Sequence, residues 1–435
     1  MTTTGPIRVA DDQRRLIDAE GNPFFWCGDT AWNLFASLTL DQARHYLTTR
    51  AAQGFNVIQA VGYFEHDCRN RPAHMGQWVM HDMNPAKPND AYFDHVQKVM
   101  DIAESLGLHF AFLPTWGHLV TPMWAGGDSL FTPENAMIYG EYVGKRFGGR
   151  ANLIWVNGGD RPVNTDTDLL IWRNLANGIR STESVRHLMT FHISGSNCSS
   201  NFVHDEPWLD MNMQQSGHAV LFDRVDQRIA QALSRYPRKP VLDGEICYED
   251  HPIGFRAANG RFTDWHVRAS AYRSVFGGGC GVTYGAAAVW CFYSGRYPAI
   301  LGSLPSMDWK QSLHLPGASQ MNHLHELMQR FADKALIPCD NISNHSAADS
   351  QAPCMLRDGS PDASDAGCIL IYQPTTTPFG AYDLTVMRSE EVCATYFDPR
   401  TGKSYPAGVY RRDKQVQLKN LPDSGPDWVV IFEAL

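Results

Sequence analysis

Short apolar runs alternate with stretches of helical period along the part of the chain that precedes Pro338. Between the runs, apolar residues recur every three or four positions, as in Phe93, Val96, Met100 and Ala103. The apolar runs are 24–28, 55–61, 109–115, 153–156, 187–192, 209–214, 240–245 and 281–286. Eight strand-helix units predict the α/β class, as a (β/α)8 TIM barrel with long loops.

Capping and stop residues support the predicted helices. Thr39 is followed three residues later by Gln42, which is a capping-box pattern, and Gly54 is a helix stop signal. Thr132 and Pro133 form a second helix start, because proline in the first turn loses no intrahelical hydrogen bond. The loop 62–89 is long and rich in His, Trp, Met and Pro, which favours a lid or binding wall.

The pattern changes after Pro338. Short alternating runs such as CILIYQ, CATYFD and WVVIFEA are separated by turn signals such as DPRTGK, and no helical period is present. This pattern predicts a small antiparallel β-sandwich. We therefore expect two domains, residues 1–340 as a barrel with a short N-terminal segment and residues 341–435 as the sandwich.

Two of the predicted strands end in a carboxylate. The run ANLIWVNGGD ends at Asp160, and the run PVLDGE ends at Glu245. The carboxyl ends of parallel barrel strands meet at one mouth, so the two acids can face each other there. Glycoside hydrolysis needs such a pair, about 5 Å apart for retention or about 6.5 to 9.5 Å apart for inversion. Each acid could instead cap a helix, and Asp243 and Glu249 are rival candidates for the second position.

Other polar and aromatic residues fall near predicted strand ends, where barrels place their ligand-binding groups. Each of them alone could be structural: Asp29 as a helix cap, for example, and Gln59 as a link inside the barrel. Their common placement predicts a substrate-binding set. The set comprises Asp29, Trp32, Gln59, Trp116, Asn157, His192, Gln214, His218 and Trp290.

Composition and motifs exclude several classes of function. Acids exceed bases by nine and no long Lys/Arg run is present, which argues against nucleic acid and anionic membranes as partners. The sequence contains none of the GxxxxGK[ST], GxGxxG, GxSxG or HExxH patterns. His323 and His325 point in different directions on a helix, so they do not form a shared metal site. We therefore expect no cofactor and no metal.

Targeting signals are not visible either. Residues 1–7 hold no basic segment followed by an apolar one, and no run reaches the roughly 20 apolar residues of a membrane span. The sequence as it stands predicts a cytoplasmic protein. A periplasmic or secreted protein is the alternative if a signal peptide has been removed.

Several strings resemble one family of glycoside hydrolases. PFFWCGDTAWNLF with RAAQGFNVIQAV, then WVNGGD, then a strand that ends in GE, are similar to the apiosidase-like family, whose catalytic domain is a (β/α)8 barrel. The tail from YFDPRTGK to DWVVIFEA resembles the small β-sandwich, named for collagen binding, that often follows that barrel. Together these strings span the chain from about Arg15 to its end.

The resemblance implies a hydrolase that removes a terminal or branching sugar, apiose- or arabinofuranose-like, from plant cell-wall glycans or glycosides. By motif position Asp160 would be the general acid/base and Glu245 the nucleophile, with retention as the expected outcome. Related barrels usually carry an Asn-Glu pair at the fourth strand, whereas here Asn157 and two glycines precede Asp160. That departure keeps inversion open as an alternative.

Two other classes of function remain alternatives to a glycosidase. A degenerate barrel could bind carbohydrate through its aromatic residues without cutting it, although both acids are present at strand ends. A metal-dependent barrel hydrolase acting on a non-sugar substrate is the other. The C-terminal domain is expected to pack against the barrel as a stabiliser.

Overall fold

A computed structural model describes residues 5–64, 72–73, 76–123, 128–295, 305–343, 351–360, 363–375, 381–418, 421 and 425–435. Parts of the predicted lid loop 62–89 lie outside these ranges. The chain begins with a small antiparallel sheet of three two-residue strands. These are β1 (Arg8–Val9), β2 (Leu16–Ile17) and β3 (Pro23–Phe24).

Eight parallel strands in the described ranges form a curled sheet in chain order. They are β4 (Trp26–Thr30), β5 (Val57–Tyr63), β6 (His109–Thr115), β7 (Leu153–Gly158), β8 (Met189–His192), β10 (Asn212–Gln215), β11 (Val241–Glu245) and β12 (Gly281–Tyr284). The two-residue strand β9 (Asn197–Cys198) pairs antiparallel with β10. The last strand, β12, pairs with the first, β4, and so confirms the predicted barrel class.

The seam between β8 and β10 is held by hydrogen bonds from residues beside β10. The backbone N–H of Asp210 donates to the carbonyl of Met189 at 2.8 Å, and the carboxylate of Asp210 accepts from the N–H of Met189 at 2.8 Å. The hydroxyl of Thr190 donates to the carbonyl of Met211 at 2.8 Å. These bonds satisfy buried backbone groups where the described strands form no ladder.

Helices alternate with the strands as the apolar period predicts. They are α1 (Leu34–Ser37), α2 (Leu40–Ala52), α3 (Asp90–Ser105), α4 (Pro133–Phe147), α5 (Asp166–Thr182), α6 (Val225–Leu233), α7 (Asp264–Phe276), α8 (Trp309–Ser312) and α9 (Pro316–Arg330). Thr39 and Thr132 both form capping boxes, as predicted for Thr39. In the described part of the chain no helix combines the length and the apolar character needed to cross a membrane.

The barrel strands separate two apolar layers, because alternate residues of a strand point to opposite faces. One layer fills the barrel interior and includes Val57, Ile154, Val156, Met213 and Leu242. The other lies between the strands and the surrounding helices and includes the strand residues Ile58, Phe112, Trp155 and Phe191. Position parity along a strand therefore decides whether a side chain can face the barrel axis.

The C-terminal domain is built on a six-stranded antiparallel sheet, with the order β13-β14-β15-β18-β16-β17. Its strands are β13 (Ile337–Cys339), β14 (Cys354–Arg357), β15 (Cys368–Gln373), β16 (Glu391–Phe397), β17 (Ser404–Arg411) and β18 (Trp428–Ala434). Single β-bridges join Tyr382 to Ser343 and to Val416. The segments that these bridges connect pack on one face of the sheet. The sheet starts at Ile337, just before the boundary predicted at residue 341.

A buried ion pair joins the two domains. Arg268 of α7 donates through Nε and Nη2 to the two carboxylate oxygens of Asp427, at 3.0 and 2.7 Å. Both side chains are at most 1 % exposed. Tyr372 adds a hydroxyl bond to the same carboxylate at 3.1 Å and stacks on Tyr272 of α7. The C-terminal domain is thus fixed to the barrel by a satisfied charge pair.

Asp427→Asn should lower the free energy of unfolding by about 3 kcal/mol, because it removes the buried carboxylate partner of Arg268 and leaves only Asp264, which is 33 % exposed. Urea unfolding measures the change. The matched control is Glu433→Gln, which removes the half-exposed Arg330–Glu433 pair across the same two domains and should cost less than about 1 kcal/mol. Equal effects of the two variants would contradict the structural weight given to the Arg268–Asp427 pair.

Candidate active site

A cavity of about 590 Å³ opens at the carboxyl ends of the barrel strands. Every one of the eight parallel strands sends at least one residue to its wall, either from the strand's last position or from the loop that follows. In strand order these residues are Trp32, Phe64, Trp116, Asp160, Ser194, Gln215, Glu245 and Trp290. This is the face on which barrels place their binding and catalytic groups.

Glu245 is the last residue of β11 and is 5 % exposed. Nε2 of His218 donates to its Oε1 at 3.0 Å, and Nε2 of His192 lies 2.9 Å from its Oε2. The Nδ1 atoms of these two rings accept backbone N–H groups, from Tyr248 at 3.2 Å and from Asp160 at 3.1 Å respectively. Because Nδ1 is the acceptor in both rings, each ring carries its proton on Nε2, the nitrogen next to the carboxylate.

The two imidazole donors decide the ionisation of Glu245. Burial by itself would raise the pKa of this carboxyl, since it disfavours the charged form. The hydrogen bonds of His192 and His218 act in the opposite sense and prevail, so the pKa of Glu245 lies well below its usual range. The structure therefore holds an ionised carboxylate in a nearly water-free position.

Tyr248 is a third partner of Glu245. Its hydroxyl oxygen accepts from Nε1 of Trp32 at 2.9 Å, which leaves the phenolic hydrogen for the carboxylate. Burial, followed by the charge of Glu245 and the hydrogen bond to it, raises the pKa of Tyr248 well above 10. The phenol thus stays protonated and continues to donate.

Asp160 reaches the cavity through a tight turn after β7. Gly158, Gly159 and Asp160 have φ angles of +87°, +126° and +52°. A Cβ atom at Gly158 would collide with the carbonyl oxygen of His192, and one at Gly159 would lie 2.6 Å from the backbone nitrogen of Gly117. Only glycine fits both positions, which gives the NGGD string a physical cause.

The carboxyl of Asp160 is 29 % exposed, and its pKa is raised to about 6. Burial is the largest cause and the negative charge of Glu245 is the next. Arg161 offsets part of this, with Nη1 3.3 Å from Oδ2 of Asp160 and 2.7 Å from its backbone carbonyl oxygen. Asp160 can therefore hold a proton at mildly acidic pH while Glu245 is ionised.

Aromatic rings form one wall of the cavity. Trp32 lies 5.1 Å from Trp116 and meets the ring of His192 edge-on at 5.1 Å. Phe64 stands edge-on to Trp116 at 5.2 Å and to Trp290 at 6.4 Å. These rings offer apolar faces beside the two carboxylates, an arrangement suited to the C–H face of a sugar ring.

Most of the residues predicted from the sequence meet in this site. Six of them line the cavity, and His192 contacts Glu245 from behind the tryptophans. The six are Trp32, Trp116, Asp160, His218, Glu245 and Trp290. The remaining four, Asp29, Gln59, Asn157 and Gln214, are fully buried outside the cavity wall.

Strand parity explains three of these four placements. Asp29 points to the helices, where Arg50 donates to it at 2.7 Å and Tyr46 at 2.5 Å. Asn157 points the same way, with Nδ2 3.5 Å from the sulfur of Met189. Gln214 also lies on the outward parity and donates to a neighbouring carbonyl. The binding roles expected for these side chains do not fit their positions.

Gln59 faces the barrel axis but lies too deep to reach the cavity wall. Its Nε2 donates to the carbonyl of Gly244 across the barrel at 2.8 Å. Gln59 therefore links two strands inside the barrel and does not contact the cavity. The rival acids are also engaged elsewhere: Asp243 accepts from Ser274, and Glu249 from Tyr284 and the backbone of Gly317.

A β-bulge in β11 aims Glu245 into the cavity. Gln214 pairs with Asp243, and the next pair is Gln215 with Glu245, so Gly244 is an extra residue on β11. In a regular strand Glu245, two positions after Asp243, would share its outward parity, and the bulge at Gly244 breaks that alternation. Bulges that re-aim a side chain are frequent next to active sites.

Several cavity residues are missing from the sequence prediction. Gln215 could have been found, because period two from Met211 and Met213 selects it rather than Gln214. Arg161 adjoins the predicted acid. Tyr248, His251 and Phe255 lie on the loop after β11. A loop has no hydrophobic periodicity from which side-chain orientation can be predicted, so the sequence pattern could not identify them.

Metal ligation finds no support in the described ranges. No three His, Cys, Asp or Glu side chains converge there as ligands of one ion would. Burial is the largest cause that lowers the pKa of His251, to about 3, so this ring is neutral. The polar groups around Glu245 serve the carboxylate instead.

An aromatic cavity at a barrel mouth, with one ionised and one readily protonated carboxyl group, defines a glycoside hydrolase. Residues 10–333 match the family model described as "Apiosidase-like, catalytic domain", and the chain belongs to this apiosidase-like family. Residues 360–433 match a second model, described as "Putative collagen-binding domain of a collagenase".

Solved structures agree with this assignment. A glycoside hydrolase shares 27 % identity over 99 % of this chain and 97 % of its own, with a TM-score of 0.87. A glycoside hydrolase family 5 protein from Bacteroides vulgatus shares 29 % identity over 99 % and 94 %, also with a TM-score of 0.87. The exo-beta-1,4-mannosidase Op5Man5 from Opitutaceae bacterium strain TAV5, at 16 % identity over 74 % and 62 % and a TM-score of 0.53, shares the fold. No curated protein matches the sequence.

Asp160→Asn should stabilise the protein at about pH 8. The pKa of Asp160 is about 6 in the folded state and 3.8 ordinarily. The protonated side chain therefore contributes its full free energy of stabilisation below about pH 4, and this contribution is lost as the pH rises through 6. The variant never ionises, and asparagine tolerates the left-handed backbone. Its free energy of unfolding in urea should exceed that of the wild type by up to about 3 kcal/mol at high pH.

The gain should shrink in a Glu245→Gln background, because the charge that helps to raise the pKa of Asp160 is then absent. At about pH 4 and below, Asp160→Asn and wild type should unfold at similar urea concentrations. An unchanged difference across the whole pH range would contradict the raised pKa.

Proposed function

We propose that this glycoside hydrolase removes a terminal or branching sugar, apiose- or arabinofuranose-like, from plant cell-wall glycans or glycosides, with retention of configuration. The observation that carries the proposal is the pair of carboxyl groups on one cavity whose pKa values are displaced in opposite directions. Such a pair separates an acid from a nucleophile. The family description supports the choice of apiose-like sugars.

In the first step, the carboxylate of Glu245 attacks the anomeric carbon, and the protonated Asp160 donates its proton to the departing glycosidic oxygen. A covalent glycosyl-enzyme forms and the aglycone leaves. In the second step, Asp160 takes a proton from water, which displaces Glu245 and releases the sugar. Each step leaves the pair ready for the next.

His192, His218 and Tyr248 position the nucleophile. Their three donors hold the carboxylate in one orientation and in its ionised form. The same donors make the carboxylate of Glu245 less basic. The cycle gives up these hydrogen bonds in part when the covalent bond forms and restores them when it breaks. None of the three needs to transfer a proton.

The sugar would lie between an aromatic and a polar wall. Trp32, Trp116 and Trp290 present ring faces, and Gln215 lies opposite with Ser194 and Ser196. The amide Oε1 of Gln215 has no hydrogen-bond partner among the described residues, although this side chain is only 4 % exposed. Since Gln215 pairs with Glu245 in the sheet, it can accept a substrate hydroxyl near the anomeric carbon.

The proposed pair is tested with aryl glycosides of apiose, arabinofuranose and the common pyranoses. Glu245→Gln should lose turnover almost completely, and Asp160→Asn should lose roughly 10²- to 10⁴-fold, the usual contribution of a general acid/base. Azide, which needs no base, should restore turnover of Asp160→Ala on substrates with acidic leaving groups. Near-normal rates in either variant would mean that the two roles are assigned wrongly.

The first-formed product, followed by NMR, decides the stereochemical outcome: the anomer of the substrate means retention. The opposite anomer would mean that Glu245 activates water, and would replace the nucleophilic step by direct displacement. A wild-type enzyme that cuts pyranosides and neither furanoside would overturn the choice of sugar.

Gln215→Ala should lower kcat/KM by roughly 10- to 100-fold, because one hydrogen bond to a substrate hydroxyl is lost in the transition state. The matched control is Gln214→Ala, one residue earlier on the outward parity, which should leave kcat/KM near the wild-type value. Steady-state kinetics on the best aryl glycoside compares them. The reverse order of effects would show that Gln214 reaches the substrate.

A further inference from the structure

Four apolar residues are exposed on two loops that adjoin the cavity. We call Ala219, Val220, Leu221 and Phe255 the mouth patch. Ala219 and Phe255 line the cavity itself, and Val220, Leu221 and Phe255 are 54 %, 40 % and 44 % exposed. Large apolar side chains exposed together beside a binding site indicate a ligand-contacting surface.

Two loops hold the mouth patch together. The loop after β10 carries Ala219 to Leu221, and the loop after β11 carries Phe255. The backbone N–H of Gly254 donates to the carbonyl of His218 at 2.8 Å and so joins them. The ring of Phe255 stands edge-on to His251 at 5.0 Å and to His218 at 5.8 Å. Because His218 donates to Glu245, the mouth patch lies one ring away from the nucleophile.

The backbone of Phe255 is held in an unfavourable conformation. Gly254 and Phe255 both have a φ of +61°, which is common for glycine and rare for a bulky residue. Surrounding bonds impose it: the N–H of Phe255 donates to the carbonyl of Pro252 at 3.1 Å, and the N–H of Ile253 to that of Gly260 at 3.0 Å. Strain of this kind is concentrated at ligand sites, and here it keeps a half-exposed phenyl ring at the cavity mouth.

We propose that the mouth patch is a leaving-group subsite that binds a flat aromatic aglycone. This inference rests on the proposed glycosidase function. Trp32 and Trp116, only 3 % and 5 % exposed, enclose the inner part of the cavity, where the cleaved sugar fits. The aglycone therefore extends through the open end, past Phe255.

The chemistry of the mouth patch favours an aromatic group over a second sugar. Its side chains carry no donor or acceptor that could read sugar hydroxyls. The adjacent ring of His218 has both nitrogens engaged, with Glu245 and with the N–H of Tyr248, and Nδ1 of His251 donates to the carbonyl of Pro252 at 2.8 Å. The mouth patch itself offers a ring face and aliphatic groups, which match the flat face of a phenolic aglycone.

The first test measures binding of 2-naphthol, without any sugar, by saturation-transfer NMR and by calorimetry. Wild type should bind it, Phe255→Ala should weaken binding roughly tenfold, and Phe255→Trp should retain it. Phe202→Ala is the matched control, since Phe202 is also exposed (36 %) but does not line the cavity, and it should bind as the wild type does. Equal binding by the wild type and Phe255→Ala, or none by the wild type, would overturn the subsite.

The second test compares 2-naphthyl with phenyl glycosides of the same sugar, whose leaving groups have similar acidity but different ring area. Phe255→Ala should raise KM for the naphthyl glycoside about tenfold with little change in kcat, and change the phenyl value less. Identical losses on both substrates would overturn the subsite. If 2-naphthol binds through Phe255 but no aryl glycoside is cut, aromatic binding at the mouth patch stands, whereas the proposed hydrolysis and the leaving-group role fail.

Discussion

The site depends on keeping one carboxylate charged where almost no water reaches it. Burial opposes the ionised form of Glu245, so the fold must supply donors that compensate for the lost hydration. His192 comes from the end of β8, and His218 and Tyr248 come from the loops after β10 and β11. A carboxylate held in this way has a fixed direction as well as a fixed charge. This is the preorganisation that a nucleophile needs.

The same interaction connects the parts of the mouth to one another. Nδ1 of His192 accepts the N–H of Asp160, and Nδ1 of His218 accepts the N–H of Tyr248. Each ring thus ties a loop backbone to the carboxylate and has its tautomer selected by that backbone. The charge fixed on Glu245 adds to burial in raising the pKa of Asp160, so one buried group influences the ionisation of both carboxyl groups.

The sequence was sufficient for the architecture and for much of the site. Apolar runs, helical period and caps identify eight strand-helix units, and the strings NGGD and DGE place Asp160 and Glu245 at strand ends. The predicted substrate-binding residues miss the cavity wall where the direction of a side chain on its strand decides the outcome. Asp29, Asn157 and Gln214 lie on outward strand positions, whereas Gln215, the neighbour of Gln214, lines the cavity. A one-residue difference exchanges the two faces of a strand.

The sequence by itself determined the order of elements and the residue types at the barrel mouth, because caps, turns and periodicity act between near neighbours. Tertiary structure decided which of those residues converge. The bulge at Gly244 depends on pairing with β10, and it turns Glu245 inward. Tyr248, His251 and Phe255 reach the site because their loop is bonded to His218, thirty or more positions away in sequence. The pKa values of both acids follow from that convergence, since burial and neighbouring charge exist only in the folded chain.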